Sequence, residues 1–165
     1  MTLTLGGNLE TILLVEEHPA LLKLVKRILE DAGFRVIPAT SKERAMRLEA
    51  DFPGTIDLLL SDLTVTGTTG PALAKKLKGR RPQMRVVLMC GYPGGAMLLL
   101  NYGWHYVEKP LVASVLVSKI KDVLRGETRE QSTDQFNTLK DSRRPFGRVS
   151  LDSRPAASLQ MRRTA

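Results

Sequence analysis

The chain has a single cysteine, Cys90, so it cannot form an internal disulfide. It has no apolar run near the roughly 18 residues that a membrane helix needs. Its first residues, MTLTLGGNLE, have neither the basic segment nor the apolar stretch of a signal peptide. The sequence therefore predicts a soluble, cytoplasmic protein, with no membrane partner and no disulfide framework.

Nucleic-acid motifs and zinc-ligand patterns are also missing, and aromatic residues make up only 5% of the chain. The formal net charge of +8 still raises the question of a nucleic-acid partner. The basic excess is shared by residues 1–125 and 126–165, and it is not interleaved with stacking aromatics. We interpret it as solvated basic surface and do not expect a nucleic-acid partner.

A chain of 165 residues has room for one domain with a full hydrophobic core. Short apolar segments rich in Ile, Val and Leu recur along it and predict buried parallel strands at residues 11–15, 34–37, 56–60, 84–89 and 104–107. Patterns with helical spacing alternate with them, at residues 19–33, 41–50, 71–78, 96–101 and 111–124. This alternation predicts an α/β fold with a doubly wound parallel sheet.

The composition divides the chain into three parts. Residues 1–9 are predicted to be an N-terminal extension, and residues 10–125 the folded domain. Residues 126–165 are rich in Gln, Ser, Thr, Arg and Pro and show no hydrophobic period. Such a composition predicts a disordered basic tail.

Charged side chains follow three of the predicted strands. Glu16 and Glu17 come after the first strand, Asp62 after the third, and Lys109 after the fifth. The carboxyl ends of parallel strands meet at one edge of such a sheet, so three carboxylates and one ammonium should converge there. Mg²⁺ is the first candidate to relieve their repulsion. An aspartate beside that ion can act as a nucleophile on a phosphoryl group, with a lysine stabilising the charge.

Four spaced motifs carry a resemblance to a known family: LLVEEHP, LLLSDLTVTGTTG, VVLMCGYPG and YVEKPL. Over residues 10–125 the chain resembles the receiver domain of bacterial two-component response regulators, and in particular the chemotaxis-regulator type. The resemblance implies a flavodoxin-like fold with five parallel strands in the order 2-1-3-4-5. It also implies that Asp62 accepts a phosphoryl group from a histidine kinase or a phosphotransfer protein.

The same resemblance implies an Mg²⁺ site. Glu17 and Asp62 would be direct metal ligands, and Glu16 would hold a metal-bound water. The backbone carbonyl of Thr64 would complete the site, and Lys109 would pair with a phosphoryl oxygen.

Two further positions match the family's switch, in which a hydroxyl moves toward the phosphoryl group and an aromatic ring follows it. These positions are Cys90 and Tyr106. A tyrosine such as Tyr106 is more often a packed core aromatic than a switch. A cis peptide bond before Pro110 is likewise implied by the resemblance.

Three residues depart from the family pattern. Glu17 stands where Asp is usual, Cys90 where Ser or Thr is usual, and Thr66 where Pro is common. An added methylene displaces a carboxylate in a site where Mg²⁺ tolerates little misfit, and a thiol is a weak hydrogen-bond donor. These departures leave open a degenerate receiver that acts as a phosphorylation-independent interaction module.

The sequence favours a stand-alone receiver that is not an enzyme and that signals by contact with a protein partner. The loop after Asp62 is also similar to the nucleophile loop of haloacid-dehalogenase-type phosphatases. In those enzymes the nucleophile follows the first strand of the catalytic core, where this chain has Glu16 and Glu17. A DNA-binding regulator is disfavoured because no helix-turn-helix pattern follows Leu124.

Overall fold

The structure is a computed structural model, and it describes residues 9–91 and 103–126. Its strands are β1 (Thr11–Val15), β2 (Arg35–Ala39), β3 (Leu58–Asp62), β4 (Thr64–Val65), β5 (Thr68–Thr69), β6 (Arg85–Cys90) and β7 (His105–Glu108). Its helices are α1 (Pro19–Asp31), α2 (Lys42–Asp51), α3 (Gly70–Arg80) and α4 (Ala113–Arg125). In these two described segments, no helix is long and apolar enough to cross a bilayer.

Five strands form one parallel sheet in the order β2-β1-β3-β6-β7, and β4 and β5 form a separate antiparallel pair. Counted among the five strands of the main sheet, this order is 2-1-3-4-5. The predicted doubly wound, flavodoxin-like sheet is therefore confirmed. The register places Val15 beside Ser61, and Asp62 beside Met89, so the carboxyl ends of the central strands lie at the same edge.

Both faces of the sheet are covered by helices, which explains the near-continuous apolar strands. One face packs against α2 and α3 in a core that includes Leu13, Val15, Leu59, Leu73, Leu77 and Leu88. The other face packs against α1 and α4 in a core that includes Ile12, Leu14, Leu29, Leu60, Leu116 and Ile120. Alternate residues of β1 and β3 thus point to opposite cores, as the pleat of a strand requires.

The helix ends follow local capping rules. His18 accepts a hydrogen bond from the backbone N–H of Leu21 at the start of α1, and Ser41 and Thr69 cap α2 and α3 in the same way. The helix α4 ends at Gly126, which has a left-handed φ of 74° that suits glycine. The caps at His18, Ser41 and Thr69 set where each loop from the carboxyl edge of the sheet enters its helix.

Four strands, predicted at 34–37, 56–60, 84–89 and 104–107, begin one or two residues later than predicted, because burial extends beyond the paired residues. Ile56 and Met84 are each 1% exposed, yet both precede their strands. Asp62, predicted to follow the third strand, is its last residue. The β4–β5 hairpin was not predicted. The predicted helix at 96–101, the extension before Leu9 and the tail beyond Gly126 lie outside the described residues.

Candidate phosphoacceptor site

Glu16 is the first acidic residue of the site, and it lies directly after β1. Its backbone N–H donates to the carbonyl of Ala39, which ties the loop to the neighbouring strand. The residue is only 3% exposed. Its Oε1 accepts from the backbone N–H of His18 at 2.9 Å, and its Oε2 accepts from the Lys109 ammonium at 2.9 Å. A buried carboxylate is stable when it is paired and hydrogen-bonded in this way.

Asp62 lies at the end of β3 with 19% of its side chain exposed. Its Oδ2 accepts a hydrogen bond from Lys109 Nζ at 3.1 Å. The backbone after it is held by two hydrogen bonds of Leu63, whose N–H donates to Met89 and whose carbonyl accepts from Gly70. A methyl group on Gly70 would overlap the carbonyl oxygen of Asp62. Gly70 therefore lets the first turn of α3 lie close against the acidic residue.

Lys109 joins these two carboxylates from the loop after β7. Its ammonium lies within hydrogen-bond distance of Glu16 and Asp62, and its backbone N–H donates to the carbonyl of Cys90 at 2.7 Å. The peptide bond to Pro110 is cis, as the resemblance implies. Burial alone would lower the pKa of Lys109, but hydrogen bonds and charge from Glu16 and Asp62 outweigh it and raise that pKa. Lys109 is a charged member of the site.

Glu17 does not join this cluster. Its Oε1 accepts from the backbone N–H of Thr66, and its Oε2 accepts from the Thr66 hydroxyl at 2.8 Å. Throughout residues 9–91 and 103–126, no group of three or more His, Cys, Asp or Glu side chains is placed to hold a metal ion. Glu16, Asp62 and Lys109 therefore meet as predicted, whereas the side chain of Glu17 reaches the β4–β5 turn, and its role as a metal ligand stays a prediction.

The oxygen donors nevertheless suit Mg²⁺ in kind. Glu16 and Asp62 supply carboxylates at the edge of the sheet, and Mg²⁺ binds through few carboxylates while keeping several waters. Thr64 opens β4 two residues after Asp62, and its carbonyl remains a predicted ligand. For Glu17 to join Glu16 and Asp62 around one ion, its carboxylate has to move from its present position on Thr66.

The two predicted switch residues lie on adjacent strands. Cys90 ends β6 and is 2% exposed, and Tyr106 in β7 is half-buried against the same core cluster. Burial, with smaller contributions from Glu108 and Cys90, raises the pKa of Tyr106, so its phenol is neutral. The packing agrees with a core role for Tyr106, and the switch role of both residues stays a prediction.

Sequence reasoning missed three residues of this site: His18, Thr66 and Gly70. His18 contributes through its backbone N–H, which donates to Glu16 and which the residue type does not signal. Thr66 is known from the sequence only as a departure from the family pattern, and in the structure it holds Glu17. The position of Gly70 directly before a helix-opening proline was the one signal for a close backbone approach.

Comparison with known proteins agrees with this geometry. The family model of the response regulator receiver domain matches residues 12–121. The chain is 36% identical over 118 residues to the transcriptional regulatory protein CpxR of Escherichia coli K12, covering 69% of this chain and 49% of CpxR. It is 26% identical over 120 residues to the sensor kinase CckA of Brucella abortus, covering 71% of this chain and 13% of CckA.

Solved structures show the same relationship. A CheY-like receiver domain protein from Methanospirillum hungatei JF-1 has a TM-score of 0.64 and 29% identity, covering 74% of this chain and 98% of the other. The receiver domain of the hybrid histidine kinase CckA has a TM-score of 0.59 and 30% identity, and the match covers 69% of this chain and 98% of that domain. The chain belongs to the response regulator receiver family. It spans less than half the length of the two curated relatives named above.

Proposed function

We propose that this chain is a receiver in phosphorelay signal transduction, in which Asp62 accepts a phosphoryl group from a histidine kinase or a phosphotransfer protein. Family membership supports the general role. The observation that carries the assignment to Asp62 is the Lys109 ammonium, which lies 3.1 Å from Asp62 and 2.9 Å from the buried Glu16. A cation held beside a partly exposed carboxylate is suited to stabilise an incoming phosphoryl group.

The chemistry then assigns a task to each side chain. Lys109 contacts Asp62 through Oδ2, and Oδ1 is the oxygen that would attack phosphorus. The new bond is an acyl phosphate, the bond between phosphorus and the donor breaks, and its electron pair remains with the donor's leaving group. Lys109 can turn from Asp62 to a phosphoryl oxygen while Glu16 still holds its ammonium. Mg²⁺ would be held by Asp62, Glu17 and the Thr64 carbonyl, with Glu16 on a metal-bound water, and it would neutralise phosphoryl charge.

The output of the domain is proposed to be a protein contact in the cytoplasm, without substrate turnover and without nucleic acid or membrane. Its surface would include Tyr106, residues 96–101 and α4. Cys90 and Tyr106 would transmit the change from the site to this surface. Equal backbone NMR shifts there for the phosphorylated and free forms would refute this part of the proposal.

The direct test is incubation of the full chain with acetyl phosphate and Mg²⁺, followed by intact mass measurement. We expect one phosphoryl adduct on the unmodified chain, no adduct on Asp62→Asn, and a normal adduct on Asp51→Asn. Asp51 is a suitable control because it is an exposed aspartate at the end of α2. An adduct on Asp62→Asn would show that another residue is the acceptor.

The second candidate function is a phosphorylation-independent interaction module. The contact of Glu17 with Thr66 favours it, because this contact withdraws one predicted metal ligand. This candidate predicts no adduct and no Mg²⁺ binding under the same conditions. It also predicts a partner complex that a phosphoryl analogue leaves unchanged.

A further inference from the structure

The most distinctive contact at the carboxyl edge joins two residues that depart from the family pattern. Both carboxylate oxygens of Glu17 accept hydrogen bonds from Thr66, one from its backbone N–H and one, at 2.8 Å, from its hydroxyl. The two residues are 49 positions apart in the chain. We call this pair of hydrogen bonds the Glu17–Thr66 clasp.

The β4–β5 hairpin sets the position of Thr66. Val65 pairs with Thr68, so Thr66 and Gly67 form a two-residue turn between the strands. Gly67 has a φ of 76°, the left-handed conformation that such turns require and glycine accepts readily. Thr66 is exposed at the tip of this turn, where both of its donors reach Glu17.

The clasp competes with a cation for the same carboxylate. Hydrogen bonds to an ionised acceptor are stronger than neutral ones, and here each oxygen of Glu17 accepts one from Thr66, which holds the carboxylate at the β4–β5 turn. Glu16 and Asp62, by contrast, already meet at Lys109. With its carboxylate held on Thr66, Glu17 is not placed together with Glu16 and Asp62 to hold a metal ion within residues 9–91 and 103–126, so a cation gains all three carboxylates only when the clasp opens.

We propose that Thr66 is a positioning residue that holds Glu17 away from the cation site, so that Mg²⁺ binding with Glu17 as a ligand requires the Glu17–Thr66 clasp to break. This inference rests on the proposed function, since it assumes that a divalent cation binds beside Asp62. It adds a consequence that the proposed function lacks: cation binding releases the β4–β5 turn that follows the phosphoacceptor.

The first test measures Mg²⁺ affinity by titration calorimetry on the full chain, without any phosphoryl donor. Thr66→Val removes the hydroxyl and keeps the branched shape, so we expect it to bind Mg²⁺ between about three- and tenfold more tightly than the unmodified chain. Thr66→Ser keeps the hydroxyl and should bind as the unmodified chain does. Thr68→Val is the matched control, because it removes a hydroxyl from the same hairpin that does not contact Glu17.

A second test examines the clasp without metal. The Thr66 backbone N–H should exchange slowly with solvent in the unmodified chain and faster in Glu17→Ala, as measured by NMR. Addition of saturating Mg²⁺ to the unmodified chain should also speed this exchange. Slow exchange that Glu17→Ala and Mg²⁺ both leave unchanged would overturn the inference, because the clasp would then not protect this amide.

The two tests separate the inference from the proposed function. Equal or weaker Mg²⁺ binding by Thr66→Val, with normal binding by the unmodified chain, would overturn the clasp and leave the proposed function standing. Absence of Mg²⁺ binding in the unmodified chain and in both Thr66 variants would refute the proposed metal-dependent function, and the inference would fail with it.

Discussion

Two buried glutamates lie in different parts of this fold, and their partners differ in number. Glu16, 3% exposed, shares the single ammonium of Lys109 with Asp62. Glu49, 4% exposed, is held by two guanidinium groups, with Arg80 at 3.0 Å and Arg81 at 2.9 Å. One site has fewer cations than carboxylates, and the other has more. The Glu16–Asp62 site can therefore accept further positive charge, whereas the charge of Glu49 is already balanced by Arg80 and Arg81.

The Glu49 site has a structural purpose. Arg81 also donates to the backbone carbonyls of Glu49, Phe52 and Gly54, and it thereby fixes the end of α2 and the loop toward β3 against α3. Burial would raise the pKa of Glu49, but the hydrogen bonds and charges of Arg81 and Arg80 outweigh it and lower that pKa. The Glu49 carboxylate, paired with two arginines, therefore has a role in stability and is not placed to bind a ligand.

Replacement of Lys109 should have the largest effect on function. Lys109→Met removes the only cation that contacts Asp62 among the described residues, and it should slow adduct formation from acetyl phosphate by between about a hundredfold and a thousandfold. Lys78→Met is the matched control, because the Lys78 ammonium binds the backbone carbonyl of Met84 instead. A normal rate in Lys109→Met, with folding verified by circular dichroism, would contradict the role given to this lysine.

Replacement of Glu49 should have the largest effect on stability. Glu49→Ala leaves Arg81 partly buried without its carboxylate, and it should lower the free energy of unfolding by about 3 kcal/mol. Urea denaturation measures this change. The variant should still form the phosphoryl adduct under conditions where it is folded. Loss of the adduct in folded Glu49→Ala would contradict the assignment of a purely structural role to Glu49.

The two arginines of the Glu49 site should contribute unequally. Arg81 has 22% of its side chain exposed and several backbone partners, so Arg81→Ala should cost about 2 kcal/mol of stability. Arg80 is 51% exposed and makes one described hydrogen bond, so Arg80→Ala should cost less than about 1 kcal/mol. Equal urea midpoints for the two variants would show that the exposure of each arginine does not determine its contribution to stability.

The pH dependence of stability should show the smallest effect. The lowered pKa of Glu49 means that its contribution is present above the ordinary value of 4.5 and is lost as the pH falls through the folded value. The free energy of unfolding of Glu49→Gln should therefore lie closer to that of the unmodified chain in acid than at neutral pH. Urea midpoints between about pH 3 and pH 6 measure this difference. A difference in free energy of unfolding that increases in acid would mean that the pKa of Glu49 is raised in the folded protein.

Much of the fold could be predicted because its signals are local. Apolar runs mark strands that are buried on both faces, and Ser41 and Pro19 mark helix starts. The strand predicted at 34–37 stops before Pro38, whereas β2 continues through this proline to Ala39. The missing N–H of Pro38 is tolerated because β2 pairs only with β1 in the described sheet.

The site could be predicted only in part because its details depend on side-chain reach. Topology alone brings Glu16, Asp62 and Lys109 to one edge, and these three do meet. The direction of Glu17 depends on one extra methylene and on a turn of two residues, which no periodicity reveals. Glu49 was missed for a similar reason, since it lies in a helix of mostly polar residues whose charged side chains ordinarily face solvent.

The most direct test of the central claim is to locate the phosphoryl group within the chain. Borohydride reduction of an aspartyl phosphate gives homoserine, which peptide mass spectrometry identifies after treatment of the full chain with acetyl phosphate and Mg²⁺. We predict homoserine at position 62 and at no other aspartate. Homoserine at another aspartate instead, or no reduced residue in a chain that carries the phosphoryl adduct, would contradict the assignment of Asp62 as the phosphoacceptor.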